Sequence, residues 1–226
     1  MPSILLIRHA QASFGAADYD VLSERGHEQV RALVDGLKAR GVEASRVVCG
    51  ALRRQRDTAE PCARALGAEL EIDPRWDEYE DRDILSHHAS VPAGLEHQAG
   101  DAPLSSRQFQ EILNDALGQW IDAGAGGPCR ETWPAFASRL EDALRELAGG
   151  LGRGETAIVV SSGGAIAAVS AVLMSLPPRA LITFNHVSIN TGITKLAVGR
   201  AGITVISLNE HGHLEARDGE SLVSYR

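Results

Sequence analysis

Near the start of the chain stands the stretch Ile4-Leu5-Leu6-Ile7-Arg8-His9-Ala10-Gln11. Its first four residues form a short, continuous apolar run, which is typical of a strand buried on both faces. The polar residues that follow lie where this strand ends, and ligands of layered α/β proteins collect at the carboxyl ends of strands. A cation beside an imidazole suits attack on an anionic group, with Arg8 holding the oxygens while His9 supplies the nitrogen. Alone, the Arg-His pair is equally compatible with a structural role.

Strand-like and helix-like segments alternate along the rest of the chain. The predicted strands cover residues 4–7, 46–49, 69–72 and 156–160, and two β-rich stretches follow at 192–198 and 202–208. The predicted helices cover residues 23–40, 52–66, 105–121, 132–147 and 164–176. This alternation predicts an α/β fold, a three-layer α/β/α sandwich in which helices cover both faces of a mostly parallel central sheet.

The length of 226 residues suits a single domain over residues 1–226. Residues 73–130 interrupt the regular alternation, because they are polar, rich in His, Gly and Pro, and contain one clear helical stretch. We interpret this segment as an insertion over one end of the sheet. Loops in such places commonly select the substrate.

Composition excludes several classes of function. The formal net charge of −8 argues against general nucleic-acid binding, which depends on clustered Lys and Arg. Ala157–Leu176 is uncharged and long enough to cross a membrane, but Gly163 and Gly164 divide it, so a strand, a turn and a helix are expected instead. The three cysteines are far apart and lack C-x-x-C spacing, and no signal peptide is recognisable. These features predict a cytoplasmic protein without a membrane segment.

Two other predicted strand ends also carry candidate phosphate-binding groups. Residues 50–59 read GALRRQRDTA, and Arg54 lies near the start of a helix whose first amides favour anions. Arg53 and Arg56 in the same run are interpreted as a solvated helix face. Residues 161–164 read SSGG, and successive amides there can line a phosphate pocket, although a glycine pair is also common in a plain tight turn.

Taken together and in this order, these motifs resemble the histidine phosphatase superfamily, the phosphoglycerate-mutase-like enzymes. The family pattern R-H-G corresponds to residues 8–10, and an aspartate followed by L-[ST]-x-x-G-x-x-Q-[AV] corresponds to residues 20–30. The pattern L-x-R-A-x-x-T-A corresponds to residues 52–59, and the terminal N-x-x-x-H-L to residues 209–214. A glutamate after a short strand is matched by Glu78.

The resemblance implies a role for each matching residue. His9 would attack phosphorus, Arg8 and Arg54 would neutralise the transferring oxygens, and Glu78 would protonate the leaving oxygen and later activate water. Neither a cofactor nor a metal is implied. The phosphate pocket is further expected to include Gln11, Ser162, Gly163 and His211, and two alternatives to Glu78 as the acid, Glu80 and Asp81, stay open.

Three departures from the family pattern concern the strand-end motifs and the phosphate pocket. Ala10 replaces a glycine, Gly15 replaces a common asparagine, and Ser162 stands where the family has its second catalytic histidine. A serine hydroxyl donates a hydrogen bond without a positive charge, so the pocket loses a cation. The candidates for filling this gap are the four histidines His211, His186, His87 and His88, of which His211 is preferred.

The resulting hypothesis is a phosphomonoesterase that acts on a small phosphorylated substrate or on phosphohistidine. A mutase shares every motif but needs a more basic pocket. A protein of a different class, an inactive descendant that binds phosphorylated ligands, is suggested by Ser162, whereas the presence of a nucleophile and an acid favours catalysis. No nucleic-acid or membrane partner is expected, and the sequence leaves a homodimer open.

Overall fold

A computed structural model describes residues 1–13, 20–88, 106–218 and 222–225. The strands are β1 (Ser3–Arg8), β2 (Arg46–Cys49), β3 (Leu70–Ile72), β4 (Thr156–Ser161), β5 (Ile193–Gly199) and β6 (Gly202–Glu210). The helices are α1 (Glu24–Ala39), α2 (Arg53–Leu66), α3 (Asp81–Ser86), α4 (Ser106–Ala123), α5 (Trp133–Gly149), α6 (Gly163–Leu173), α7 (Ala180–Val187) and α8 (Gly212–Asp218). Short 3₁₀ turns occupy Pro74–Trp76 and Gly124–Gly126.

The six strands form one sheet in the order β3-β2-β4-β1-β5-β6. The pairs β3·β2, β2·β4 and β4·β1 are parallel, whereas β5 runs antiparallel to both β1 and β6. The carboxyl ends of β1, β2 and β4 therefore lie side by side at one edge of the sheet. In the register of the sheet, Arg8 is opposite Ser161, and Cys49 is opposite Val160. The chain segments that follow these strands meet at this edge.

The side chains of the strands point alternately to the two faces of the sheet and form a hydrophobic core on each face. In β4, Ala157 and Val159 belong to one buried cluster, whereas Ile158 and Val160 belong to another. The first cluster includes Phe136 of α5 and other residues from α4, α5, α6 and α7, and the second includes residues of α1 and α2. Because successive side chains of a strand point to opposite faces, the sheet is covered by helices on both sides. This confirms the predicted α/β fold with helices on both faces of a mostly parallel sheet.

Several boundaries differ from the sequence prediction. The sequence prediction extended α6 to residue 176, but it ends at Leu173, three residues before Leu176 and before the Pro177-Pro178 pair. The insertion contains α3 in addition to α4, so the prediction of one helical stretch there was wrong. Helices α7 and α8 were not predicted, because each is only two turns long and offers little periodicity. Pro61 lies inside α2, which continues through it.

The apolar segment at residues 157–176 forms β4, a turn and α6, as its glycines predict. Within the described ranges, no helix combines the length and the apolar character that crossing a bilayer requires. Part of the predicted insertion, and Gly15, lie outside the described residues.

Candidate active site

His9 follows β1 directly and is buried, with 5% of its surface exposed. Its Nδ1 lies 2.7 Å from the carbonyl oxygen of Ala10, and Arg54 Nε donates to His9 Nε2 at 3.2 Å. Since a carbonyl only accepts, Nδ1 carries the proton and Nε2 carries the lone pair. Burial lowers the pKa of His9 well below its ordinary value, and the charges of Arg54 and Arg8 lower it further. The ring is therefore neutral near pH 7, with a nucleophilic Nε2.

Arg54 lies in the first turn of α2 and is positioned by Asp20. Its Nη1 is 2.7 Å from Asp20 Oδ1, and the backbone amides of Arg53 and Arg54 also donate to this carboxylate, at 2.7 and 3.3 Å. Leu52, at the N-cap, has no side-chain oxygen for this task, so Asp20 caps α2 from a distant part of the chain. Arg53 and Arg56 are exposed, in agreement with a solvated helix face.

Arg8 ends β1 and is positioned by backbone carbonyls. Its Nη1 donates to the carbonyl oxygen of Ser188 and, at 2.9 Å, to that of Tyr225. The guanidinium is thus fixed by a loop after α7 and by the last described residues of the chain. Its charge lies close enough to His9 to contribute to the lowered pKa of that ring.

Glu78 meets the first turn of α6. Its Oε2 accepts a hydrogen bond from the Gly164 amide at 2.9 Å, and its Oε1 accepts one from the Tyr79 amide at 3.3 Å. Burial raises the pKa of Glu78, and the Gly164 hydrogen bond and the charge of Arg54 oppose part of this rise. A Cβ at position 164 would lie 2.3 Å from Tyr79 Cε1 and 2.5 Å from Glu78 Oε1, so glycine leaves room for both side chains in their present positions.

The two alternatives to Glu78 point elsewhere. Glu80 is exposed and lies 2.7 Å from Arg130 Nη2, in an ion pair on the surface. Asp81 is exposed in the first turn of α3, where its Oδ1 accepts from the Arg82 amide at 2.9 Å. Glu78, in contrast, lies close enough to Arg54 and Arg8 for their charges to oppose the rise of its pKa that burial causes.

Ser162 and Gly163 connect β4 to α6. The Ser162 side chain is buried, and its Oγ accepts a hydrogen bond from Gln55 Nε2 at 2.9 Å. A Cβ on Gly163 would lie 2.4 Å from Asn185 Oδ1 and 3.4 Å from Arg8 Nε. The glycine therefore allows Arg8 and Asn185 to approach the backbone at the start of α6.

Three residues at this edge were not identified from the sequence. Asp20 belongs to a quoted motif, but the motif gives no hint that its carboxylate holds Arg54. Tyr79 is buried beside Glu78, and its hydroxyl accepts a hydrogen bond from Asn185 Nδ2 at 3.1 Å. Asn185 lies in α7, and no sequence signal connects that helix to the site.

Gln11 and His211 are engaged in other contacts. Gln11 Oε1 accepts from Ser23 Oγ at 2.9 Å, at the N-cap of α1. His211 Nδ1 lies 2.7 Å from the carbonyl oxygen of Asn209, and its Nε2 lies 3.5 Å from Glu215 Oε1. Their membership of the phosphate pocket stays a prediction.

The remaining candidate histidines lie in other surroundings. His186 and His87 are exposed, and His87 Nε2 lies 3.8 Å from Asp83 Oδ1. His88 is buried at the end of α3, with its Nε2 3.0 Å from Asp115 Oδ2 of α4. None of these contacts links a second imidazole to His9.

The arrangement as a whole suits phosphoryl transfer. A neutral imidazole, two guanidinium groups and a carboxyl group with a raised pKa converge at one edge of the sheet. The described residues include no cluster of three or more His, Cys, Asp and Glu side chains suited to a metal ion.

A family model described as the histidine phosphatase superfamily (branch 1) matches residues 4–211. A search of curated proteins found no match.

Solved structures share the fold at low sequence identity. A phosphoserine phosphatase mutant from Entamoeba histolytica, bound to phosphoserine, has a TM-score of 0.67 and 19% identity over 95% of this chain and 100% of its own. YhfR of Bacillus stearothermophilus has a TM-score of 0.70 and 18% identity over 95% and 100% of the two chains. The mycobacterial glucosyl-3-phosphoglycerate phosphatase has a TM-score of 0.63 and 23% identity over 92% and 98%.

Proposed function

The chain belongs to the histidine phosphatase superfamily (branch 1), and from this membership we propose that it is a phosphomonoesterase using His9 as its nucleophile. The observation that carries the proposal is the state of His9, a buried, neutral ring whose Nε2 lies 3.2 Å from the Arg54 guanidinium. A nucleophile held beside a fixed cation is prepared to attack an anionic phosphoryl group. The substrate is a small phosphorylated molecule or phosphohistidine.

In the first step, His9 Nε2 attacks phosphorus and the bond to the ester oxygen breaks. Arg8 and Arg54 neutralise the charge that the transferring oxygens carry. The departing oxygen takes a proton from Glu78, whose raised pKa keeps the carboxyl group protonated to higher pH than usual. The products are an alcohol, phosphohistidine at His9 and a Glu78 carboxylate.

In the second step, water attacks the phosphohistidine. The Glu78 carboxylate accepts a proton from this water, and the bond between phosphorus and Nε2 breaks. Inorganic phosphate leaves, His9 is neutral again and Glu78 is protonated, so the cycle closes without a cofactor. Positioning and charge stabilisation supply the catalysis in this scheme.

The similar structures support a small substrate. Two of them carry the names phosphoserine phosphatase and glucosyl-3-phosphoglycerate phosphatase. Phosphoserine and phosphorylated three-carbon acids are therefore the first compounds to test. A cytoplasmic location, expected from the sequence, stays a prediction, and a homodimer stays open.

A second candidate function is binding of phosphorylated ligands without turnover. One observation favours it: the neutral Ser162 lies at the strand end where a second cation is expected. The chemistry of Glu78 argues against it, because binding an anion does not benefit from a buried carboxyl group. A mutase needs the same residues and a second, basic subsite, and the contacts of the described residues do not indicate one.

The test is hydrolysis of 4-nitrophenyl phosphate with chelator present, between pH 5 and 8, by wild type, His9→Ala and His27→Ala. His27 is exposed on α1 and serves as the matched control. Turnover that persists in His27→Ala and disappears in His9→Ala is expected. With ³²P-labelled substrate, rapid quenching into alkali, which preserves phosphohistidine, is expected to trap label on wild type and on His27→Ala but not on His9→Ala. Folded wild-type protein with no turnover above His9→Ala would overturn the proposal and leave ligand binding.

A further inference from the structure

Gln55 and Ser162 form a buried pair that the proposed mechanism does not use. Gln55 has no exposed surface, Ser162 is 1% exposed, and Gln55 Nε2 donates to Ser162 Oγ at 2.9 Å. The two residues are 107 positions apart and come from the first turn of α2 and the end of β4. The pair therefore joins the two elements that carry Arg54 and the amide bound by Glu78.

The hydrogen bond fixes the role of the Ser162 hydroxyl. A hydroxyl has one proton to donate and accepts at its lone pairs. Because the amide of Gln55 can only donate from Nε2, it occupies a lone pair of Ser162 Oγ and leaves the hydroxyl proton available. That proton is not used to cap α6, where Ser162 makes no side-chain cap bond. The described residues offer that proton no hydrogen-bond acceptor. Ser162 directly follows Ser161, which pairs with Arg8 in the sheet, so the hydroxyl belongs to the same strand end as His9.

The Gln55 amide group is also closely surrounded by neighbouring residues. The Gln55 amide also donates to the Trp76 carbonyl oxygen at 3.3 Å, and a Cβ on Gly50 would lie 2.0 Å from Gln55 Oε1. An imidazole at position 162 would need space that this amide occupies. The motif at residues 52–59 has alanine in the family where this chain has Gln55. The same volume can be filled in two ways. Either a small residue at position 55 faces an imidazole ring at position 162, or a long residue at 55 faces a small one at 162.

We infer that Gln55 is a positioning residue that aims the Ser162 hydroxyl at the phosphoryl group, so that the pair replaces a charged donor with an oriented neutral one. This inference rests on the proposed function and deepens it. Ser162 is the group that touches substrate, and Gln55 acts through it. The two side chains are expected to behave as a unit.

A double-mutant cycle tests the unit. Ser162→Ala, Gln55→Ala and the double variant are compared with wild type by kcat/KM on an aryl phosphate. Removing one oriented donor is expected to cost about 10²-fold, within the range for oxyanion-hole donors. Because Gln55 acts only through Ser162, the double variant is expected to lose no more than Ser162→Ala alone. Losses that multiply, or an unchanged Ser162→Ala, would overturn the inference.

Two further variants separate positioning from packing. Gln55→Met keeps the volume and removes the hydrogen bond, so it is expected to lose about as much kcat/KM as Gln55→Ala while it unfolds near the wild-type temperature. Full activity in Gln55→Met would reduce Gln55 to a packing role. Ser162→His alone is expected to be impaired, and adding Gln55→Ala is expected to recover activity at least about tenfold. No recovery in the folded double variant would contradict the shared volume.

The variants of His9 and those of Ser162 and Gln55 test the proposed function and this inference separately. Turnover that depends on His9 supports the phosphatase function, whatever the outcome of the double-mutant cycle. If wild type lacks turnover, affinity for inorganic phosphate, measured by calorimetry, replaces kcat/KM in the cycle. Weaker phosphate binding in Ser162→Ala and in Gln55→Met would then support the oriented donor, and unchanged binding in both would reject it.

Discussion

Replacing Glu78 by glutamine removes the transferable proton and one of the two acceptor oxygens, so the longer hydrogen bond from the Tyr79 amide, 3.3 Å in the native protein, is lost. The glutamine Oε1 can accept the same hydrogen bond from the Gly164 amide, which is 2.9 Å long in the native protein. The side chain therefore keeps its place, and the loss reports on proton donation. General acid catalysis contributes about 10²–10⁴-fold, which is about 3–5 kcal/mol of transition-state stabilisation. We expect kcat/KM of Glu78→Gln for an alkyl phosphate to fall by this factor.

The loss is expected to depend on the leaving group. A nitrophenolate leaves without a proton, so its kcat/KM is expected to stay within about tenfold of wild type, whereas poor leaving groups show the full loss. kcat/KM is the quantity to compare, because hydrolysis of the phosphohistidine does not enter it. The Glu78→Gln enzyme is expected to accumulate phosphohistidine and to show a burst of nitrophenol, since no carboxylate activates the water.

The pH dependence of kcat/KM tests the role of Glu78 independently. Burial raises the pKa of Glu78, and the active form is the protonated one, so kcat/KM falls as pH rises through that raised pKa. Glu78→Gln is expected to lack this decline. The acidic limb is expected to persist in the variant, because His9 must be neutral, and its lowered pKa places the limb below pH 6.5.

Glu80→Gln is the matched control. Glu80 is exposed and pairs with Arg130 on the surface, where solvent screens the ion pair. Its kcat/KM is expected to equal that of wild type for every leaving group. An equal loss for nitrophenyl and alkyl phosphates in Glu78→Gln would refute proton donation by Glu78, and a selective loss in Glu80→Gln would transfer the role to that residue.

Three further predictions concern stability and position. His213 is half-buried, and desolvation lowers its pKa to about 4, so between pH 6.5 and 4 the unfolded chain binds a proton that the folded chain does not. His213→Gln should flatten the fall in unfolding free energy across this range by about 1.4 kcal/mol per pH unit, as measured by urea titrations. Gly164→Ala should displace the general acid and lower kcat/KM at least about tenfold, whereas Gly149→Ala, which meets open space, should not. Asp20→Ala should cost about 1 kcal/mol of helix capping and raise KM, because Arg54 loses its partner; an unchanged KM would show that the arginine is held by other contacts.

The sequence predicts the fold and the strand-end residues for the same reason. Ile4–Ile7 and Ala157–Val160 are continuous apolar runs, which identify buried parallel strands, and parallel strands end at one edge. His9, Arg54 and Gly163 each follow such a strand, so their approach to one another can be expected without a structure. Local pattern and topology suffice for this part of the site.

The supporting contacts are not predictable in the same way. The hydrogen bonds Gln55–Ser162 and Asn185–Tyr79 join residues 107 and 106 positions apart, and neither has a periodic signal. Asp20 reaches Arg54 only because the loop before α1 passes the start of α2. Such contacts depend on how whole elements pack, and the short helix α7 that carries Asn185 was itself missed. Sequence patterns identified the candidate reacting groups, and packing determines what orients them.

The charges at the site favour one form of substrate. Arg8 and Arg54 each bring one positive charge, His9 is neutral, and Asp20 returns one negative charge through its ion pair with Arg54. Ser162 adds no charge where an imidazolium would add one, and Glu78 becomes negative as the pH rises through its raised pKa. A phosphate monoester changes from monoanion to dianion with a pKa near 6. A dianion therefore keeps an uncompensated negative charge in this pocket, and we expect phosphate affinity to weaken above that pH. In the double variant Ser162→His with Gln55→Ala, the new imidazole is expected to reduce this weakening only at pH values below its own pKa.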